Sequence, residues 1–453
     1  MKVYILTLGC AKNQVDSETI EKIIRREKYS VTEIPESADI VIVNTCGFID
    51  AAKEESIDYI LEAAKLKETG NVKILMVAGC LSQRYKETLK EEIPEIDAMI
   101  GTDNQYEVPQ ILKRALEGEF VSLFQRNDQT WLDTDLGEHL THSAPYRYVK
   151  IAEGCNNHCA YCAIPFIRGN YRSKPMEKIL REVENIVDKG TKEINFIAQD
   201  TTRYGLDLYN DYKLAELLEK AAQIAYKNNC WVRFLYGYPT RINKNLLSVI
   251  KQYDNICSYL DIPLQHINDK VLKRMNRGGN ANQIKNLITW IKDEIPDVIL
   301  RSSFIVGFPG ETRKAFQELL DFLSEVKFEH AGIFKYSQEE DTKAYYYQDS
   351  ISEAEKEERY LKAWQHQQNI TKQKNKALVG SKMRVLIEEE MADEPGTMIA
   401  RGMRHAPEVD GSVVIPGCRA LPGDFTDVKI IQSLDYDLIG EIDYELGKQN
   451  HHS

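Results

Sequence analysis

The run YRYVKIAEGCNNHCAYCAIP (146–165) decides how this chain is read. Its first eight residues are rich in aromatic and β-branched side chains and predict a strand. That strand empties into a loop carrying Cys155, Cys159 and Cys162 in CxxxCxxC spacing. Three thiolates so spaced can each take one iron of a four-iron cluster, leaving the last iron open to a cofactor or substrate. A structural zinc site is the alternative, and it needs a fourth protein ligand. His158 is the neighbour at hand.

Downstream the pattern repeats. EINFIAQ (193–199), WVRFLYG (231–237), SYLDIPL (258–264), ILRSSFIVG (299–307) and HAGIFKY (330–336) read as strands, with helical patterns between them. Six such units predict a partial or full βα barrel, whose chemistry belongs at the C-terminal ends of the strands. A doubly wound open sheet has the same periodicity. The run FIVGFPGET (304–312) lacks the Gly-Lys-Ser/Thr ending of a phosphate loop. Gly307 in that run, and Gln199 and Asp200 after the second strand, are placed to meet an adenosine moiety at a barrel mouth.

Upstream, VYILTLG (3–9), DIVIVNT (39–45), KILMVAG (73–79) and AMIG (98–101) alternate with helical patterns at 17–27, 51–67, 82–92 and 107–117. Continuous apolar strands of this kind suit a parallel sheet covered on both faces, a doubly wound α/β domain over residues 1–120. Cys10, Cys46 and Cys80 each stand just past one of these strands. Strand ends of a parallel sheet line the crevice where such folds bind ligands, so the three form a second candidate cluster site. Gly9, Gly47 and Gly79 flank them and permit tight turns. Cys230, Cys257 and Cys418 lack such a setting and read as ordinary buried thiols.

Residues 121–144 read as a polar linker with one turn or hairpin, and 145–376 as the barrel, which ends in a charged helical connector at 352–378. Over 377–446, MRVLIEE (383–389), GSVVIPG (411–417) and FTDVKIIQS (425–433) predict a small all-β barrel. Its span 381–445 holds six Lys/Arg against fourteen Asp/Glu, a net −8 that repels nucleic acid. The whole chain, at −12, is no general polyanion binder. No stretch approaches the eighteen or so apolar residues of a membrane helix, and MKVYILTLGC (1–10) reads as a strand rather than a signal peptide. A cytoplasmic setting follows, where cysteines serve as thiolates rather than disulfides.

These motifs, with the text of LGCAKNQVDSE (8–18), KIAEGCNNHCAYCAIPFIRG (150–169), YLDIPLQH (259–266) and RSSFIVGFPGET (301–312), carry a resemblance. Over nearly its whole length the chain resembles the methylthiotransferase branch of the radical S-adenosylmethionine enzymes, and within it the RimO type. The resemblance implies an N-terminal methylthiotransferase domain, a radical-SAM βα (TIM-like) barrel and a C-terminal TRAM-like barrel. It implies two [4Fe-4S] clusters, one on Cys155, Cys159 and Cys162 binding S-adenosylmethionine, the other on Cys10, Cys46 and Cys80 delivering a methylthio group. The implied substrate is an aspartate β-carbon of small-subunit ribosomal protein twelve, free or in the subunit. Such a C–H bond resists acid–base catalysis, so a cofactor carries the hard step, fed by a cellular one-electron reductant. Arg301 is the candidate partner for a substrate carboxylate. The sister MiaB type, acting on transfer RNA, usually reads YGCQMN where this chain has LGCAKN, and TRG where it has Ile167-Arg168-Gly169. That type is the nearest alternative. A non-catalytic metal-binding or electron-transfer protein is the alternative from another class.

Overall fold

Strands β3 (Ile40–Thr45) and β4 (Ile74–Gly79) are buried at every residue, so helices must cover both faces of the sheet that holds them. The sheet also contains β1 (Lys2–Thr7), β2 (Ser30–Val31), β5 (Ala98–Ile100) and β6 (Val121–Leu123). Its order is β2-β1-β3-β4-β5-β6, with every pairing parallel. Strand order reverses after β1, which makes the gap between β1 and β3 the switch point where open sheets bind ligands. The structure, a computed structural model, describes residues 1–126, 144–348 and 351–443.

Two short strands were not legible in the sequence. β2 has two residues and β6 three, too few for periodicity to register. β6 takes Val121–Leu123 out of the expected linker and pairs them with β5. The turn or hairpin expected further along that linker falls largely within 127–143, outside the described residues. The first helix begins at Ala11, six residues before the expected Ser17, directly after Cys10. Its first turn (Ala11, Lys12, Asn13) is buried despite its polar side chains, so the apolar pattern starts late.

The second domain comprises β7 (Tyr146–Lys150), the short antiparallel pair β8 (Ala152–Glu153) and β9 (Arg172–Ser173), and then β10 (Glu193–Ile197), β11 (Trp231–Phe234), β12 (Tyr259–Asp261), β13 (Ile299–Val306) and β14 (His330–Lys335). Parallel pairing runs β7-β10-β11 and β12-β13-β14. The two halves join through a parallel bridge between Val232 and Ile256. Six strands thus follow chain order around a partial barrel, and among the described residues β7 and β14 stay unpaired with each other. β13 alternates half-buried and buried residues along its length. Leu300, Phe304 and Val306 face the helices in the main core, so Arg301, Ser303 and Ile305 face the lumen.

The connector is one helix, Glu353–Ala377, capped by the Ser352 hydroxyl accepting from the Glu355 N–H at 3.3 Å. It leads to a closed barrel of β15 (Lys382–Glu390), β16 (Met398–Gly402), β17 (Val413–Ile415), β18 (Phe425–Ser433) and β19 (Leu438–Ile442), in the order β15-β16-β17-β19-β18. Its loop 401–411 docks on the N-terminal end of the partial barrel and meets a side chain from each of the six strands. Tyr146 donates to Glu408 at 2.8 Å, Arg401 pairs with Glu193 at 2.7 Å, and Arg233 donates to the Met403 carbonyl at 3.0 Å. Asp410 accepts from Tyr259 at 2.6 Å and faces Arg301 at 3.6 Å and His330 at 3.3 Å. One end of the barrel is therefore occupied by protein, and the chemistry-bearing end faces the first domain.

Candidate active site

Cys10, Cys46 and Cys80 come together because β1, β3 and β4 are adjacent and parallel. Gly9 has φ +93°, and a Cβ there would stand 2.8 Å from Cys46 Cβ and 3.1 Å from its Sγ. Glycine is what lets the Cys10 turn approach Cys46. Asn13 locks the turn, donating to the carbonyls of Leu8 and Thr45 at 2.8 and 2.9 Å. Burial, with Cys80 and Cys10 adding like charge, pushes the Cys46 thiol up to about 12. Burial also raises Cys80, whereas at Cys10 the nearby Lys12 and Arg168 outweigh it and the thiol is lowered.

The CxxxCxxC loop is short in sequence but is held by distant partners. The Cys155 N–H donates to the Gly169 carbonyl at 3.0 Å, and Ala160 N–H to the Met275 carbonyl at 2.8 Å. Asn276 donates to the His158 carbonyl at 2.8 Å. Arg277 donates to Cys159 Sγ at 3.5 Å. Asp200 is buried and accepts from Asn157 of the loop at 2.8 Å and from Arg241 at 2.5 Å. It thus clamps the loop. Burial pushes the Cys155 thiol up to about 11 and raises Cys162 as well. Such thiols must release protons when they take up metal.

Gln199 donates to Glu153 at 2.7 Å, while its Oε1 is buried with no partner among the described residues. Gly307 has φ +75°, and its N–H donates to the buried carboxylate of Glu311, which pairs with Arg359 at 3.1 Å. Arg301 lies at the third residue of β13, level with Asp261 and His330, five residues before the strand's C-terminal end at Val306. It lies deeper in the barrel than the mouth.

Sequence reasoning missed the residues that join the two cysteine sets. Arg168 is fully buried and bonds across the seam. It donates to Asn13 Oδ1 at 2.7 Å, to Asp16 and Glu153 at 3.0 Å, and to Cys80 Sγ at 3.4 Å. Lys150 completes the group at 2.5 Å from Asp16 and 2.7 Å from Glu153. Cys80 packs against Ala163 and Ile167, the former next to Cys162. Burial disfavours the Glu153 carboxylate, but Arg168 and Lys150 outweigh it and hold Glu153 well below the usual range. Buried polar residues right after a cysteine and at strand ends were the available signal, and only three-dimensional adjacency makes it readable.

The donor chemistry fits a cluster at each place: three thiols, with Lys12 and Arg168 beside the set of Cys10, Cys46 and Cys80, and Arg277 on Cys159 and Asp200 near Cys155 in the other. Among the described residues no three His, Cys, Asp or Glu side chains gather as the ligands of a single ion do. A four-iron cluster asks instead for one thiolate per iron. The arrangement defines a radical-chemistry enzyme with an α/β domain capping the reactive end of a partial barrel.

Comparison with known families agrees segment by segment. Residues 2–101 match the "Uncharacterized protein family UPF0004", 149–323 the "Radical SAM superfamily" and 379–442 the "TRAM domain". Radical SAM membership brings S-adenosylmethionine and a [4Fe-4S] cluster. The chain is 55% identical over 450 residues to the ribosomal protein uS12 methylthiotransferase RimO of Natranaerobius thermophilus, covering 98% of this chain and 100% of that one. It is 46% identical to the protein of that name from Desulforamulus reducens (97% and 98% covered) and 45% to that from Clostridioides difficile (98% and 100%). The chain belongs to the RimO family of radical SAM methylthiotransferases. In fold it is similar to the radical S-adenosylmethionine methyltransferase TsrM of Kitasatospora setae, with TM-score 0.56, 12% identity, and 74% of this chain and 72% of that one covered. No helix among the described residues is long and apolar enough to cross a membrane.

Proposed function

We propose that this chain is a transferase that adds a methylthio group to the β-carbon of an aspartate in small-subunit ribosomal protein uS12. Cys155, Cys159 and Cys162 hold the cluster that binds S-adenosylmethionine, and Cys10, Cys46 and Cys80 hold a second [4Fe-4S] cluster. When bound, these groups and S-adenosylmethionine supply hydrogen abstraction from an unactivated carbon, and the sulfur and methyl that replace the hydrogen. A cellular one-electron reductant feeds them in the cytoplasm. The units are the methylthiotransferase domain (1–120), a linker (121–144), the radical-SAM barrel (145–376) and the TRAM-like barrel (377–446).

The chain's own residues orient and shield. Asp200 holds Asn157 and so fixes the first cysteine loop, and Arg277 donates to Cys159. Gln199, with its free buried oxygen, and Gly307, whose turn packs against Lys356, serve the adenosine side of the cofactor. Arg168 keeps the second set in register with the barrel. Arg301 lends positive charge to the lumen, its guanidinium held against Asp410.

The observation that carries this reading is the seam, where Cys80 touches the helix that follows Cys162 and one buried guanidinium serves both sides. The acidic terminal module, at −8 over 381–445, favours a basic ribosomal protein over transfer RNA. The test is anaerobic reconstitution followed by incubation with uS12, S-adenosylmethionine and dithionite. Gain of one methylthio group on an aspartate is expected. Modification of transfer RNA with uS12 untouched sinks the proposal.

A further inference from the structure

Three cations line the seam between the first domain and the barrel: Lys12 and Arg168, both buried, and the partly exposed Lys150. Lys150 is neutralised by Asp16 and Glu153, and Arg168 by the same two carboxylates. Lys12 differs. It is only 8% exposed, and among the described residues no carboxylate forms an ion pair with it. Its Nζ instead rests 3.5 Å from the centroid of the Tyr236 ring. A cation–π contact recovers only part of the hydration lost by a buried ammonium. The titratable neighbours of Lys12 are Tyr236 and the Cys10 thiol, which the second cysteine set claims, so this buried ammonium keeps the capacity to pair with a carboxylate that arrives with a ligand.

The surroundings say where that anion sits. Lys12 is two residues past Cys10, in the first turn of the helix that starts beside the second cysteine set. Tyr236 follows β11 at the barrel's open end, with φ +64°, and its N–H donates to Asp261 at 3.0 Å. Asp261 is level with Arg301, whose guanidinium faces Asp410. Lys12 therefore reaches from the cysteine crevice over the barrel mouth, while the other lumen cation is already engaged.

We infer that Lys12 is a specificity residue that binds the side-chain carboxylate of the aspartate being modified. The inference rests on the function proposed above and names how that site selects its residue. A carboxylate held there brings the adjacent methylene carbon between the two cysteine sets. An asparagine at the same place lacks the charge to neutralise the ammonium. Charge-assisted bonds of this kind are worth about a tenfold to hundredfold change in affinity.

The test uses the reconstituted full chain and full-length uS12. Binding is measured for uS12 and for uS12 with its target aspartate changed to asparagine, against wild type, Lys12→Met and Lys12→Arg. Wild type is expected to bind the aspartate form about tenfold to a hundredfold more tightly, Lys12→Met to bind both forms alike, and Lys12→Arg to recover the preference. The comparison of the two uS12 forms on wild type needs no variant enzyme to fold. Equal binding of both forms by wild type overturns the inference while leaving the function intact, provided uS12 is methylthiolated. A retained preference in Lys12→Met, with a shifted reduction potential of the second cluster, also overturns it and assigns Lys12 to the cluster. Failure of wild type to bind or modify uS12 removes both the function and this inference.

Discussion

The two proposed cluster sites are assembled by opposite routes. One is written in eight consecutive residues, Cys155 to Cys162; the other is dispersed over Cys10, Cys46 and Cys80. The dispersed set exists only once β1, β3 and β4 lie side by side, so it depends on topology and on the loop-closure entropy that topology costs. The compact set depends on the fold just as much. Gly169, Asp200, Met275 and Asn276 all hold it, and each comes from another part of the barrel. Nearness in sequence makes a motif readable, but in both places distant partners fix the geometry.

The largest expected effect tests whether the sets are independent. Changing Cys155, Cys159 and Cys162 together to alanine should lower iron from about eight to about four per chain and abolish cleavage of S-adenosylmethionine. The same change at Cys10, Cys46 and Cys80 should also leave about four irons but keep that cleavage. Iron analysis beside a deoxyadenosine assay decides it. If either variant loses all iron, the two sites are a single cooperative unit.

Next in size is Arg168, the residue that belongs to both sides. Its side chain is 1% exposed, and removing it leaves Asp16 and Glu153 with Lys150 alone. Loss of one partner in such a buried group costs about 3–5 kcal/mol. Arg168→Ala should therefore show a lower midpoint in denaturant and poor iron loading at the dispersed set. Arg168→Lys should recover only part, because one ammonium cannot reach Asn13, Asp16, Glu153 and Cys80 together. An unchanged midpoint in Arg168→Ala would mean that the seam is not part of the cooperative fold.

Much of this was legible beforehand, and the misses have two causes. Both cysteine sets, the parallel sheet, the βα repeat and three of the five strands of the terminal barrel stand out as apolar runs with turn residues between them. β16 and β19 did not, since MIARG and LIGEI are five residues long and interrupted by polar or glycine positions. The seam was hidden for a different reason. Asn13, Asp16, Lys150, Glu153 and Arg168 are polar residues that periodicity assigns to the surface, and all lie where two domains meet, buried except for the partly exposed Lys150. Lys12 escaped for the same reason.

A smaller effect separates the sets at single glycines. Gly79, before Cys80, has φ +97°, and a Cβ there would lie 2.4 Å from Asn44 Oδ1 and 2.6 Å from the Thr45 carbonyl oxygen. Gly154, before Cys155, has φ +78° and a Cβ position 2.1 Å from the Asn170 carbonyl oxygen. Alanine at either costs about 1–3 kcal/mol for the backbone alone. Each lesion should remove iron from its own set only, read by iron counting and by retention of S-adenosylmethionine cleavage in Gly79→Ala. Equal loss from both sets in either variant would show that strain travels across the seam.

The smallest effect lies at the other end of the barrel and provides the control for the comparison. His405 and His330 are buried where the terminal module docks, and burial holds both below the ordinary histidine value. Asp410 between the strands is also lowered: burial raises it, but His330 and Arg301 prevail. A lowered histidine contributes stability above its unfolded pKa, near 6.5, and that contribution fades as pH falls below it. A lowered aspartate contributes above its unfolded pKa, near 3.9, and loses that as pH falls through its folded value. Both signs agree, so docking should weaken on acidification, first through the histidines in the window just below about pH 6.5. The readout is the protease sensitivity of the Glu353–Ala377 helix and loop 401–411 across that window. His405→Gln should flatten the response there. A response that persists in full would assign the titration to His330.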